Sequence, residues 1–294
     1  MVFNSPKDIL AAENIVPSKS MGQNFLCDTN VVSKIVRLAR VGTDTNVIEI
    51  GPGLGTLTRE LANHAKKVVA IEKDKRLYSY LKSAGLGPTV MLFCGDAVDM
   101  DIGMLLDSRS ESDSNFGSND NASSGNKGNW TLVANLPYNV ATPLVFKVLE
   151  EIHDIDKLIV MVQSEVVDRF LASPSTKTYG AVTVKLSYLA DMKRLMQVPP
   201  QLFYPAPKVM SSVVEIVRKD DKPHDANFEK MLFSVIEEAF KTRRKMLKNT
   251  LGSIVPTEVF KSAAIDSSLR AENLTYLDFV RLVELLYSLP ENQK

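Results

Sequence analysis

Apolar residues in the first two thirds of the chain fall in short unbroken runs, separated by longer stretches with helical spacing. Short apolar runs bounded by turn residues mark strands buried on both faces. Apolar residues recurring every three or four positions mark amphipathic helices. The pattern predicts strands over 46–50, 67–71, 90–93, 132–134 and 158–162, and helices over 54–65, 75–84 and 143–152. A further helix is expected over 30–40, with Asp28 placed to cap it. Two β-like stretches, near Met196 and over 212–217, are expected to complete the sheet. Strands alternating with helices of this length imply right-handed crossovers and a mostly parallel sheet covered on both faces. From about residue 222 the spacing is helical only, over 228–240, 243–251, 257–264 and 276–289, punctuated by Pro223 and Pro256. The expected organisation is an α/β domain over residues 1–220, followed by a small all-helical domain over 221–294.

One segment interrupts this pattern. Residues 108–129 are nearly all Ser, Asn, Gly and Asp, with too little apolar surface to repay the entropy of ordering. Because α/β periodicity resumes on both sides, the segment reads as a mobile surface insertion within the first domain. Composition changes the picture in one respect. Lys plus Arg and Asp plus Glu each number 35, so the net charge is zero. That excludes a uniformly basic nucleic-acid clamp and a polyanionic disordered chain, yet leaves room for a local basic face. No apolar run approaches the ~18 residues needed to cross a membrane. Asp8 and Glu13 make the N-terminus read as neither secretory signal nor Arg-rich transit peptide. Cys27 and Cys94 have no metal-ligand spacing and make no disulfide framework, and the three histidines are scattered. The expectation is a cytoplasmic protein with no metal and no membrane partner.

Candidate chemistry lies at the carboxyl ends of the predicted strands, where open parallel sheets bind ligands. The first strand runs into Glu49-Ile50-Gly51-Pro52-Gly53-Leu54-Gly55. Glycines there permit a sharp turn and a close backbone approach to a ligand before the helix begins. The second strand ends in Glu72, at the offset where an acidic side chain accepts hydrogen bonds from both hydroxyls of an adenosine ribose. The third runs into Gly95-Asp96 and the fourth into Asn135-Leu136-Pro137-Tyr138, so four strands deliver Gly51, Glu72, Asp96 and Asn135 to one edge. A glycine turn alone fits any tight strand-to-helix connection. With Glu72 and Asp96 in register it points to a nucleoside-containing ligand. A dinucleotide fingerprint wants a third glycine where this chain has Thr56, which places S-adenosylmethionine ahead of NAD or FAD.

The Asn-Leu-Pro-Tyr segment bears on the reaction. The exocyclic amine of adenine has its lone pair delocalised into the ring. Methylating it requires acceptors that hold both N–H bonds and turn the lone pair toward the methyl group. The Asn135 side-chain carbonyl and the Pro137 main-chain carbonyl suit this task, the fixed φ of proline stiffening the turn. Tyr138 is placed to stack on the base, a contact worth about 1–3 kcal/mol per base in other systems. A second aromatic, in Phe203-Tyr204-Pro205-Ala206-Pro207-Lys208-Val209, sits in a stiff loop that can hold Phe203 against the other face.

These motifs, together with Gly22-Gln23-Asn24-Phe25-Leu26, occur in an order and spacing that resemble the small-subunit ribosomal RNA adenine dimethyltransferases of the KsgA type. The resemblance extends across the chain, including the late Ala271-Glu272-Asn273-Leu274 stretch; only the 108–129 segment has no counterpart. It implies a Rossmann-like S-adenosylmethionine-dependent methyltransferase fold, with Asn24, Leu26, Gly51, Gly53, Glu72, Asp96 and Asn135 binding the methyl donor. Asn135, Pro137, Tyr138 and Phe203 are implied at the adenine site. The implied product is N6,N6-dimethyladenosine at two adjacent adenosines in a hairpin loop near the 3′ end of small-subunit rRNA. The implied setting is ribosome biogenesis, with immature small subunits as the partner; a monomer is the default expectation. After Lys208-Val209 the family usually has an acidic residue, where this chain has Met210.

With no net charge, RNA contact must come from placement. Lys241, Arg243, Arg244, Lys245 and Lys248 form the densest basic cluster, with no acid between Glu238 and Glu258. On a helix, residues 241, 244, 245 and 248 share one face, which makes Lys241, Arg244, Lys245 and Lys248 the expected phosphate contacts. Rival readings are the macrolide-resistance type of large-subunit rRNA adenine methyltransferase, a non-catalytic ribosome-assembly factor, and a nicotinamide oxidoreductase.

Overall fold

The computed structural model describes residues 5–107, 130–137, 140–219 and 224–290. The 108–129 insertion and Tyr138 lie outside the described residues. The chain divides into two compact units, residues 1–164 with 193–217, and residues 165–192 with 218–294.

The first unit opens with helix α1 (Pro6–Ala12), a two-residue strand β1 (Phe25–Leu26) and helix α2 (Thr29–Ala39). Strands and helices then alternate: β2 (Asn46–Ile50), α3 (Thr56–Ala62), β3 (Lys67–Glu72), α4 (Lys75–Ala84), β4 (Val90–Cys94) and α5 (Ile102–Asp107). They continue as β5 (Trp130–Asn135), α6 (Ala141–Glu151) and β6 (Ile155–Gln163). After the segment that joins the second unit come β7 (Ala190–Val198), β8 (Phe203–Tyr204) and β9 (Ser211–Arg218). Seven strands form one sheet in the order β4-β3-β2-β5-β6-β9-β7. Pairing is parallel from β4 through β6 and antiparallel between β6 and β9, giving the mostly parallel sheet expected.

Residues such as Val47, Ile48, Val68, Val69, Leu132 and Val133 are fully buried at the sheet's centre, as their unbroken apolar runs require. Asp28 caps α2 as expected, its carboxylate accepting from the Asn30 and Val31 amides at 2.8 and 3.1 Å. The sheet's order reverses between β2 and β5, because β3 and β4 build outward on one side and β6 on the other. A crevice opens at the carboxyl ends of the strands at such a reversal. Beside it, β1 pairs antiparallel with β8, setting Phe25 opposite Tyr204 and Leu26 opposite Phe203.

The second unit is helical, with α7 (Ser164–Phe170) and α8 (Ala181–Leu189) joining α9 (Ala226–Lys241), α10 (Leu247–Thr250), α11 (Thr257–Ser262) and α12 (Tyr276–Tyr287). Asp225 caps α9 through the Asn227 and Phe228 amides, and α9 and α12 bury Leu232, Ile236, Phe279 and Leu282.

Two sequence expectations differ from this arrangement. The single boundary at 220 overlooks α7 and α8, which belong with the later helices: Tyr179 meets Phe240 edge-on at 6.2 Å and Tyr188 meets Phe233 at 6.1 Å. The stretch Ala181-Val182-Thr183-Val184 is rich in β-branched residues, and α8 buries Thr183, Val184, Leu186, Tyr188 and Leu189 around much of its circumference. It therefore has no apolar stripe to announce a helix. The helix expected over 243–251 is likewise reduced to α10. The chain turns at 242–245, and the Leu247 and Lys248 amides donate to the carbonyls of Leu269 and Ser267 at 2.8 and 3.0 Å, not to a preceding helical turn. No described helix is long and apolar enough to cross a membrane.

Candidate active site

The turn after β2 is shaped by glycine. Gly51 adopts φ +75°, which L side chains rarely tolerate, while its amide bonds the Ile71 carbonyl at 2.9 Å and keeps the turn against β3. Gly53 also has positive φ, and a Cβ there would lie 3.1 Å from the Phe25 ring, so the backbone must pass bare beneath the N-terminal segment.

Glu72, at the end of β3, faces this turn. Its two carboxylate oxygens accept from the Gly53 and Asp74 amides at 3.0 and 2.8 Å. Burial pushes its pKa up, and these two hydrogen bonds pull it back. A carboxylate offers about four lone-pair sites, so two remain for a vicinal diol. Beside it lies a group that sequence reasoning did not select. Glu49 is 1% exposed, and burial drives its pKa to about 8, with nearby Thr58 opposing and Glu72 adding to the rise. Both Glu49 Oε2 and Thr58 Oγ1 are buried without a hydrogen-bond partner, so Thr58 offers Glu49 only weak compensation. The signal was available, since an acidic residue inside the apolar run Val47-Ile48-Glu49-Ile50 has no packing reason to be there.

Asp96 follows β4. Its Oδ1 accepts from the Val98 amide at 3.0 Å, its Oδ2 pairs with Lys73, and the Lys73 ammonium holds the carboxyl below the usual carboxylate range. Among the described residues the Ala97 amide has no acceptor, so a carboxylate acceptor and a free N–H stand side by side. That pair matches the edge of adenine that carries the exocyclic amine and the neighbouring ring nitrogen.

Asn135 closes β5. Its Nδ2 donates to the Asn24 carbonyl at 3.1 Å. A carbonyl can only accept, so this contact fixes which end of the amide is which. The Asn135 Oδ1 accepts no hydrogen bond among the described residues. Asn24 in turn is held by its own side chain, which donates to the Gly22 carbonyl at 3.0 Å. The Pro137 carbonyl accepts from the Val140 amide at 3.2 Å and retains one lone pair. Phe203, 5% exposed, is placed through its pairing with Leu26 and packs into the cluster that contains Met161.

One pocket is lined by every described residue expected to bind the methyl donor or the base, from Asn24 and Leu26 through Gly51, Gly53, Glu72 and Asp96 to Asn135, Pro137 and Phe203. Glu49, Gln23, Lys73 and Ala97 line it as well. Buried carboxyls, a bare glycine turn and an adenine-matching edge fit an adenosyl ligand with a cationic sulfonium. Among the described residues no cluster of three His, Cys, Asp or Glu could hold a metal.

The basic residues of the second unit are arranged differently. Lys241 ends α9 and pairs with Glu238 at 3.3 Å, whereas Arg244 and Lys245 lie in the following turn and Lys248 in α10. They therefore do not share one helix face, contrary to expectation. Arg243 is tied to Glu272 at 2.8 Å and to the Thr176 carbonyl at 3.2 Å. Arg244, Lys245 and Lys248 are exposed, and the charge of Lys248 is felt by the Asp266 carboxyl.

Comparison with known proteins bears on the family and the fold. Residues 17–288 match the family model described as ribosomal RNA adenine dimethylase. The chain is 37% identical over 291 residues to the ribosomal RNA small subunit methyltransferase A of Clostridioides difficile, covering 96% of this chain and 95% of that protein. Among solved structures, a dimethyladenosine transferase from Plasmodium falciparum superposes with a TM-score of 0.71 at 23% identity, over 88% of this chain and 95% of that one. The 23S rRNA methyltransferase ErmE superposes with a TM-score of 0.64 at 22% identity, over 90% of this chain and all of that one. At those identities the two structures show a shared fold.

Proposed function

The chain belongs to the ribosomal RNA adenine dimethylase family, and we propose that it dimethylates N6 of two adjacent adenosines in the hairpin loop near the 3′ end of small-subunit rRNA. It is an S-adenosylmethionine-dependent rRNA methyltransferase. The observation that carries the adenine-site reading is the orientation of Asn135, whose amide nitrogen donates one hydrogen to the Asn24 carbonyl and whose oxygen is thereby left to accept.

S-adenosylmethionine supplies an electrophilic methyl group on a sulfonium. In our reading Glu72 holds the ribose hydroxyls, and Asp96 with the Ala97 amide reads the adenine edge. Gly51 and Gly53 let the backbone approach without obstruction. Asn135 Oδ1 and the second lone pair of the Pro137 carbonyl accept the two N–H bonds of the target adenine, turning its nitrogen lone pair out of conjugation. Phe203 packs on the base, and stacking is the role that the sequence motif gives Tyr138. No strong base is required, because the remaining proton becomes acidic only once the nitrogen carries the new methyl. Positioning is the main source of rate, an effect that reaches roughly 7–11 kcal/mol in favourable cases. A loop target suits this pocket, since an unstacked base is extruded at low cost.

RNA is the substrate class. We assign its finer identity to an immature small subunit, bound by a cytoplasmic monomer through Arg244, Lys245 and Lys248, with a contribution from Lys241. The large-subunit alternative shares the fold but is not favoured, because the near-full-length relative is named for the small subunit. The deciding experiment is methyl transfer from S-adenosylmethionine to immature small subunits, followed by nucleoside mass spectrometry. Dimethyladenosine confined to small-subunit RNA is expected. Methylation of naked large-subunit RNA alone would overturn the assignment.

A further inference from the structure

Residues 96–100, just after β4, form a tight turn whose carbonyls converge. The Asp99 and Met100 amides both donate back to the Asp96 carbonyl, at 3.0 and 2.9 Å, and the Val98 amide donates to the Asp96 side chain. With the Val98, Asp99 and Met100 amides bonded back to Asp96, the turn presents the carbonyls of Ala97, Val98 and Met100 just ahead of α5. Such a cluster of carbonyl oxygens is a local concentration of negative partial charge and needs a donor.

Lys147 supplies it from another element. It lies on α6, which begins just beyond the Asn135–Pro137 segment, and its ammonium reaches all three carbonyls at 3.2, 2.5 and 2.8 Å. An ammonium has three donors, and here each has one acceptor. The ammonium also lowers the Asp96 carboxyl pKa, a smaller contribution than that of Lys73.

We propose that Lys147 is a positioning residue for recognition of the methyl donor's adenine: by gathering the Ala97, Val98 and Met100 carbonyls it holds the Asp96 carboxylate and the Ala97 amide at fixed spacing. This rests on the adenosyl reading of the pocket. It gives α6 a second task besides carrying Leu144 into the pocket wall. It also explains a lysine on a helix whose neighbours Leu144, Val145, Val148 and Leu149 are buried. Sequence spacing gave no sign of this role, since Lys147 stands about 50 residues from the turn it holds.

The test is calorimetric binding of two probes to the full chain: S-adenosylhomocysteine, and its inosine counterpart, in which the exocyclic amine and ring nitrogen exchange donor and acceptor character. Wild type is expected to prefer the adenine probe. Lys147→Met should weaken S-adenosylhomocysteine about tenfold and the inosine probe less than threefold, collapsing the preference. In steady-state assays its KM for S-adenosylmethionine should rise while kcat at saturation stays near wild type. Amide hydrogen exchange at Asp99 and Met100 should accelerate in the same variant. Lys147→Arg, which keeps the charge and several donors, should retain the preference.

Equal weakening of both probes by Lys147→Met, or an unchanged preference, would overturn the proposal. So would unaltered exchange at Asp99 and Met100, or a fall in kcat with KM unchanged. If Lys147→Met does not fold, Lys147→Arg decides alone: loss of the adenine preference in that folded variant is an overturning result. A wild-type chain that binds neither probe refutes the adenosyl reading itself, a different failure from a wild type that discriminates and a Lys147→Met variant that still does.

Discussion

The strand-end pocket and the basic turn of the helical unit use charge in opposite ways. In and beside the pocket, Glu49, Glu72 and Asp74 are almost wholly buried; main-chain amides brace Glu72, and the Arg76 amide and the Gln23 side chain brace Asp74. In the turn and the start of α10, Arg244, Lys245 and Lys248 stand in water. Low dielectric makes every buried polar contact matter and makes an unpaired one costly. In water the same charges are screened within about 8–10 Å at ordinary ionic strength, and their effects are small and nearly additive. Single substitutions in the pocket should therefore act strongly and specifically, whereas those in the turn should act weakly and by number.

The sharpest break of this contrast is Asn135→Ala. It removes the only side-chain acceptor assigned to the adenine N–H bonds, and with it the link to the Asn24 carbonyl. Methyl transfer should fall at least 10²–10³-fold, the scale seen when one preorganised hydrogen-bonding group at a reacting centre is deleted. Binding of S-adenosylmethionine should weaken without disappearing. Single-turnover rates and equilibrium dialysis separate the two, and a wild-type rate would refute the adenine-site assignment.

Glu49→Gln probes the cost of burial. Glu49 binds a proton more tightly folded, with a pKa of about 8, than unfolded, at 4.5. The folded state is therefore not penalised below about pH 4.5, and stability declines as pH rises from there toward 8. The total is on the order of a few kcal/mol. Glu72 is shifted in the same direction, so the Gln variant should show a shallower fall, not a flat line. Denaturant midpoints from pH 5 to 8 measure it. Parallel curves for the two proteins would show that Glu49 is not the buried acid responsible.

How much of this was legible beforehand depended on whether a residue's role is local. The glycine turn, Glu72, Asp96 and Asn135 were found because strand ends in a parallel sheet are predictable, and each residue follows its strand directly. Asn24 and Leu26 came from resemblance alone. Their physical reason, the β1–β8 pairing that sets Leu26 opposite Phe203 and the Asn24 carbonyl against Asn135, joins segments far apart in sequence. Helix α8 was missed because its buried residues leave no stripe. The basic helix face was wrong because the amides at 247 and 248 find carbonyls at 269 and 267, a tertiary choice invisible to local periodicity.

Glu72→Ala is expected to cost less than the Asn135 change. A charge-assisted hydrogen bond contributes about 1.5–3 kcal/mol, so affinity for S-adenosylmethionine should fall roughly 10- to 150-fold. Because Glu72 also accepts from the Gly53 and Asp74 amides, the variant frees the glycine turn. Glu72→Gln, which keeps one acceptor oxygen, should fall between. Calorimetric titration ranks the three, and equal affinities would remove Glu72 from the ribose site.

The smallest effect belongs to the turn, and it tests whether its charges meet phosphate at all. Replacing Lys245 and Lys248 together by alanine removes two exposed cations, of which Lys248 acts on the Asp266 carboxyl. If each neutralises one phosphate, the slope of log K against log salt should flatten by about 0.7–0.9 per residue. The loss should be similar for different RNA sequences, since phosphate contacts carry no sequence information. S-adenosylmethionine binding should be untouched. Arg243→Ala is the contrasting control: its guanidinium is already committed to Glu272 and the Thr176 carbonyl, so its loss should lower the stability of the helical unit and leave the salt slope nearly unchanged. If Arg243→Ala flattened the slope as much as the double variant, Arg243 would have to exchange its internal partners for phosphate on binding. The division between braced and solvated charge would then fail at the one residue that stands on its border.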